Sequence, residues 1–405
     1  MLPRVNSAAI RRLNTNRVFH ALRENPNCAQ RDLSRLTGLD KATTSAIVAQ
    51  LLDVGLIERT EAPRARRIGR PETALSIAPS AGLLVGARLE PGTIRIVTTT
   101  LAGAVLEHLQ IPGSTDISTA LRRLHEGIDS AVAVSRPAGG PAPPVRGVGV
   151  GIPGLIDRTG RLVLAPNLGW RDTPIRPLLE EALDAPVHID NDTKAAAMAE
   201  RLFGTCRGVE DFVYLTGHSG VGGGLFLGGR LYRGAQGFAG EIGHVTVMPG
   251  GRLCGCGKRG CLETYVSETA ILVQAAERGR PLPDLWAVAA AARDGDPVVR
   301  ALLAEAGEHL GFALSHLVNL TNPSLVVLGG NLSIVAEFIL PTLGATLDEH
   351  VLEPLRRDLR LLVSPLGPDA VPMGGIALAM EGFLSAPDPI MDVLPPISRA
   401  LGTGK

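Results

Sequence analysis

No apolar run in the 405-residue chain approaches 18 residues without interruption, the length that a membrane-spanning helix requires. The opening residues, MLPRVNSAAIRRLNTNR, contain arginine but lack the apolar centre of a secretory leader. These two absences lead us to expect a cytoplasmic protein that does not use a membrane. Cysteine is scarce as well: there are five, and Cys28 and Cys206 stand alone in the sequence. A disulfide-stapled secreted scaffold is therefore not expected, and in a reducing compartment the other three thiols are free to act as thiolate ligands. Net charge is also absent, with 40 Lys plus Arg against 40 Asp plus Glu. What remains is an ordinary globular composition, 45% hydrophobic and 20% charged, long enough for two or three domains and a large core.

The zero net charge hides a polarity. Residues 1–78 hold 13 basic against 7 acidic side chains, and the rest of the chain carries the opposite excess, 27 against 33. A small basic module ahead of a larger acidic body is the footprint of a nucleic-acid reader. Its pattern agrees. Ser7 to Glu24 reads as a helix, Ala29 to Thr37 as a second that stops at Gly38, and KATTSAIVAQLLDVGLI as a third with Asp40 as its N-cap. Helix, glycine-containing turn and helix are the parts of a helix-turn-helix. The following segment reads as two short strands around an arginine-rich loop, a wing near Ala62 to Arg70. Lys41, Thr43 and Ser45 lie on the polar side at the start of the third helix, where short side chains can approach base edges. Arg64, Arg66, Arg67 and Arg70 are suited to phosphates or a narrow minor groove. A solvated charge run on a protein-binding winged helix is the alternative.

From Gly82 the pattern changes to β-rich runs, LLVGARL, TIRIVTTTL and AVLEHLQI, that suggest an antiparallel meander. Strands and helices then alternate in the manner of an α/β protein, and the last twenty residues are weakly patterned. The densest chemistry lies in GAQGFAGEIGHVTVMPGGRLCGCGKRGCLETYVS, which starts at Gly234. Nine residues separate His244 from Cys254, one separates Cys254 from Cys256, and four separate Cys256 from Cys261. One His and three Cys complete the ligand set of a closed structural zinc site; buried or disulfide-bonded cysteines are the alternative.

AGEIGH followed by CGCGKRGCLE resembles the signature of the ROK proteins (repressor, open reading frame, kinase), and the similarity runs from about Gly86 to about Gly375. The resemblance implies Zn2+ on His244, Cys254, Cys256 and Cys261, with Glu241 and Glu263 reaching a sugar. It adds Gly154 in GIPGLID, Asn167 in APNLGW, Asn191 and Asp192 in HIDND, and His244 itself to the sugar set. Carboxylates and amides are suited to vicinal hydroxyls, which they can bind in bidentate fashion. Asp192 matches the general base of the kinases in the family. The amino-terminal segment is similar to the DNA reader of ROK repressors.

The phosphate side departs from a working kinase. Where ROK kinases carry DxGGT, this chain reads ARLEPGT, so Arg88 or Leu89 replaces the carboxylate, and Pro91 has no N–H to offer a phosphate. A second phosphate segment, GTGVG in the family, reads HSGVG, with His218 in place of glycine. Phosphoryl transfer depends on placing metal and donors around the moving group.

The expectation is therefore an α/β protein with a winged helix-turn-helix over residues 1–78 and a two-lobed, actin- and sugar-kinase-like ROK body over 79–405, its lobes spanning about 82–195 and 196–380. It would act as a DNA-binding transcriptional repressor of carbohydrate genes. Its partners would be a double-stranded operator and a sugar or sugar-phosphate effector, and it would form a homodimer or homotetramer. It would not be an enzyme, and Asp192 would be a vestigial base. The alternative is an ATP-dependent sugar kinase with an appended winged helix.

Overall fold

Asp40 ends the turn between two helices by accepting the Thr43 N–H at 2.9 Å, so the third helix, Lys41–Asp53, starts where its cap dictates. In this computed structural model, which describes residues 7–61, 73–135 and 143–385, the helices before it are Ser7–Glu24 and Gln30–Thr37. Gly38, at φ 68°, makes the left-handed turn between the last two. The second helix opens one residue later than expected. Cys28 and Ala29 are extended and pair with the strand Thr73–Ile77, which in turn pairs with Ile57–Glu61. Val18, Phe19, Leu22, Leu33, Ile47, Val48 and Leu51 fill the space under this sheet. Lys41 and Ser45 are exposed, whereas the Thr43 hydroxyl is held by Asp40 at 2.7 Å. The proposed wing tip, with Arg64, Arg66, Arg67 and Arg70, lies outside the described residues.

The body contains two five-stranded sheets. In space the first runs Val187–Asn191, Val145–Ile152, Leu83–Leu89, Thr93–Thr100 and Val105–Pro112, with parallel pairing among the first three strands and antiparallel pairing beyond. The expected meander is its antiparallel half. The second runs Arg230–Leu231, Val221–Leu227, Phe212–Gly217, Leu325–Gly329 and Arg360–Val363. Numbered in chain order within each lobe, both sheets read 3-2-1-4-5. Their inner strands are largely apolar because both faces are covered, and all of Leu325–Gly329 is buried.

Lobe limits drawn in chain order do not follow the packing at the end of the chain. Helix Ala370–Ser385 returns from the second lobe to lie across the first-lobe sheet, where a Cβ on Gly86 or Gly149 would strike the Pro372 or Gly375 carbonyl. The same helix closes the head onto the body. Phe19, Leu22 and Leu51 share one apolar cluster with Leu84, Met373, Ile376 and Phe383. Each large side chain buried in such a cluster contributes about 1.5–3 kcal/mol.

Candidate functional site

A cleft of about 1240 Å³ separates the lobes, and the residues singled out in the sequence line it from both sides. Gly154, Asn167, Asn191 and Asp192 come from the first lobe; Glu241, His244 and Glu263 come from the second. Asn191 ends a strand and caps the next helix, Asp192–Leu202, by accepting from the N–H groups of Thr193 and Lys194 at 3.0 and 3.2 Å. Its amide donates to the Gly154 carbonyl at 3.1 Å. Gly154 sits at φ 125°, a conformation that L side chains rarely adopt, and this turns its carbonyl toward Asn191. Asn167 reaches across the cleft to donate to the Ser219 hydroxyl at 2.7 Å.

On the opposite wall the Glu241 carboxylate has no hydrogen bond or ion pair among the described residues, and desolvation in the cleft raises its pKa above the usual range. Lys194 and His244 partly offset that rise. Glu263 opens a four-residue helix and touches the Cys/His cluster directly, 2.8 Å from Cys254 Sγ and 3.6 Å from His244 Nδ1. The donor atoms of His244, Cys254, Cys256 and Cys261 all lie within 4.8 Å of one another, a cluster compatible with a metal ion. His244 turns Nδ1 inward, 3.7 Å from Cys254 Sγ, and so leaves Nε2 directed elsewhere. A lysine backbone lowers one of the thiols: the Lys258 N–H holds Cys256 below the usual cysteine value.

The other half of the cleft holds a chain of ion pairs that crosses between the lobes once, from Glu90 to His218. Arg88 Nη2 lies 2.6 Å from Glu90 and 3.7 Å from Asp192. Glu90 also faces His218 Nε2 at 3.3 Å, and His218 Nδ1 lies 2.7 Å from Glu268. Asn331 donates to the same Glu268 carboxylate at 2.5 Å. The Glu268 hydrogen bond raises the pKa of His218, and the same bond lowers that of Glu268. The sequence reading found Arg88, Pro91 and His218 as departures but missed Glu268 and Asn331. The available signal was positional, because Asn331 directly follows the Gly329–Gly330 turn.

A second cavity of about 1250 Å³ opens behind the lobes, lined by Arg146, Arg176, His188, Asp190 and Arg233 among others. Its buried Asp190 is already paired with Arg233 at 2.7 Å, and none of the expected site residues reaches it.

Comparison with known proteins matches the ROK family model over residues 92–381 and a MarR family model over residues 16–68. The chain is 30% identical over 403 residues to a xylose repressor of Caldicellulosiruptor bescii, covering 95% of this chain and 99% of that protein. It is 32% identical to a glucokinase of Halalkalibacterium halodurans, which spans only 72% of this chain but 93% of its own length. Among solved structures, a ROK family transcriptional regulator homologous to the E. coli MLC protein superposes with TM-score 0.79 at 30% identity, over 94% of this chain and 98% of that one. A Streptomyces griseus ROK glucokinase bound to glucose and AMPPNP superposes with TM-score 0.64 at 30% identity, over 74% and 100%. Kinases thus match the body, and regulators match body and head together: the chain belongs to the ROK family, with an amino-terminal region that resembles a winged-helix regulator.

Proposed function

We propose that the protein is an operator-binding repressor of carbohydrate genes whose body binds a sugar in the cleft and does not phosphorylate it. One observation carries this reading: the place where a phosphoryl group would be handled is occupied by Arg88, salt-bridged to Glu90 and drawn toward Asp192. A base must be within reach of a hydroxyl and free to take its proton, and Arg88, 3.7 Å from the Asp192 carboxylate, competes with a hydroxyl for it. Asp192 then acts as a hydrogen-bond acceptor, with Asn167, Asn191, Glu241, His244 and Glu263 as the remaining sugar contacts. D-Xylose is the first sugar to test, because xylose repressors match the chain over nearly its whole length. Sugar phosphates complete the panel.

Lys41, Thr43 and Ser45 are proposed to read bases and the wing arginines to hold phosphates, in a dimer or tetramer whose half-sites lie about 34 Å or a multiple apart. Sedimentation would report the oligomer. No described helix is long and apolar enough to cross a membrane, and we place the protein in the cytoplasm.

The metal proposed for the Cys/His cluster is zinc. Sulfurs about 2.3 Å from a tetrahedral ion are roughly 3.8 Å apart, and Cys256 and Cys261 Sγ lie 3.7 Å apart. Bound there, zinc supplies charge neutralisation for the thiolates. Glu263, in contact with Cys254, is positioned by that loop.

An ATP-coupled assay across the sugar panel, run beside calorimetric titration, tests the reading. Sugar binding without turnover is expected. The second reading, a kinase with an appended head, is favoured by the retained Asp192. Turnover near ~1 s⁻¹ or above, in the ordinary enzyme range, that disappears in Asp192→Asn would establish it instead.

A further inference from the structure

Helix Asp192–Leu202 begins in the cleft and ends against the DNA-reading head. Eleven residues at 1.5 Å each make it about 16 Å long. Its first turn carries Asp192 and is capped by Asn191. Its last carbonyls, which have no partner inside the helix and carry the negative end of its dipole, accept hydrogen bonds from two arginines. Arg207 Nη2 donates to the Phe203 carbonyl at 2.9 Å, and Arg23 Nη1 donates to the Leu202 carbonyl at 3.3 Å. Arg23 belongs to the first helix of the head. Its guanidinium lies 5.4 Å over the Phe203 ring, and its side chain is only 4% exposed.

We propose that this helix transmits the state of the sugar pocket to the head, and that Arg23, seated on Leu202 and Phe203, is the residue that receives it. The proposal rests on the sugar-sensing reading above. The anchors of the helix explain why it would move. The Asn191 cap is tied to Gly154 and Asp192 is drawn toward Arg88, both in the first lobe. Lys194 Nζ donates to the Gly237 carbonyl at 2.5 Å, and the buried Glu200 carboxylate accepts from the Ser364 hydroxyl, both in the second lobe. A ligand spanning Asp192 and Glu241 changes the spacing of the lobes, so the helix must shift relative to one set of anchors. Close packing passes such shifts on instead of absorbing them. Arg201 and Arg207 repel Arg23 at its seat, so the seat depends on the carbonyl, the ring and Glu24. A ligand shifts the head only through different affinity for the two arrangements.

The test uses the full-length protein, D-xylose and D-glucose as ligands, and a duplex selected from a random pool by the wild type. In the wild type, sugar should change duplex affinity by about 5–150-fold, the usual range for coupled sites. In Arg23→Ala and Phe203→Leu, calorimetric sugar affinity should stay within about threefold of wild type, while the sugar effect on duplex affinity falls below about threefold, under that range. Phe203→Leu stays apolar at somewhat smaller volume and removes the ring face, so it decides the matter if Arg23→Ala misfolds. Full sugar control of DNA in a folded Phe203→Leu that also binds sugar would overturn the proposal. So would a wild type that binds sugar without any change on DNA. A wild type that binds neither sugar by calorimetry removes the sensing reading itself, and the transmission falls with it.

Discussion

The two halves of the cleft are built from the same kinds of side chain, yet they are in opposite states. On the Cys/His side the Glu241 carboxylate is left without a protein partner among the described residues, and Asn191 and Gly154 are fixed against each other. On the other side the charged groups have partners, Arg88 with Glu90, His218 with Glu268 and Glu268 again with Asn331, although the buried Arg88 Nε bonds nothing among the described residues. Glu241 is exposed in the cleft, so water can bond its carboxylate until a ligand takes that place. Groups that already satisfy one another need no ligand, and the one of these contacts that crosses between the lobes, His218 with Glu90 at 3.3 Å, ties the two walls together. On the proposed reading, this difference would let a kinase-like body keep recognition without catalysis.

The comparison breaks most sharply at Asp192, the residue shared by both halves. Asp192→Asn should weaken sugar binding by about 1–3 kcal/mol, the cost of losing a charged acceptor, while DNA binding without sugar persists; calorimetry and a DNA-binding assay read the two. Next comes the metal loop. Wild-type protein should contain about one zinc per chain by the four-ligand rule. Cys256→Ser should lower that content and loosen Glu263 and His244, with a drop in sugar affinity on the order of tenfold, as for residues that support a site.

Substitution of Arg66 and Arg67 by Ala should lower affinity for all duplexes and reduce the salt slope by about one unit per lost phosphate contact. Thr43→Ala is a mixed probe, because its hydroxyl and N–H both bond Asp40 and the cap is altered too. The smallest effect belongs to the His218–Glu268 pair. His218 has a raised pKa, so its contribution is complete below the usual 6.5 and disappears as pH rises through the raised value. Glu268 has a lowered pKa, so its contribution is present above the usual 4.5 and disappears as pH falls through the lowered value. The pair should add most to Tm between 4.5 and 6.5. His218→Ala should flatten that window by no more than about 1 kcal/mol, since the ring is partly exposed.

The Cys/His cluster was legible in the sequence because its members lie close together and one His with three Cys is a restrictive combination. The three head helices were legible from their caps: Asp40 and Gly38 mark their own positions. The strand at Cys28 and Ala29 was not, because two residues carry no periodicity and their partner lies beyond Thr73. Glu268 escaped for a similar reason. It reads as an ordinary first-turn helix residue until the fold brings Asn331, 63 residues later, onto its carboxylate. The return of Ala370–Ser385 to the first lobe left only small residues as a trace, Gly86 and Gly149 on the strands and Gly374 and Gly375 on the helix. Glycines of that kind become informative only once their partners are known.

The apolar cluster in which Phe19 and Leu22 meet Met373, Ile376 and Phe383 also limits how the molecule can be rearranged by engineers or by evolution. A reader domain exchanged with that of another regulator would expose this face unless the incoming helix offered a matching surface. Heating should melt reader and body in one calorimetric peak rather than two.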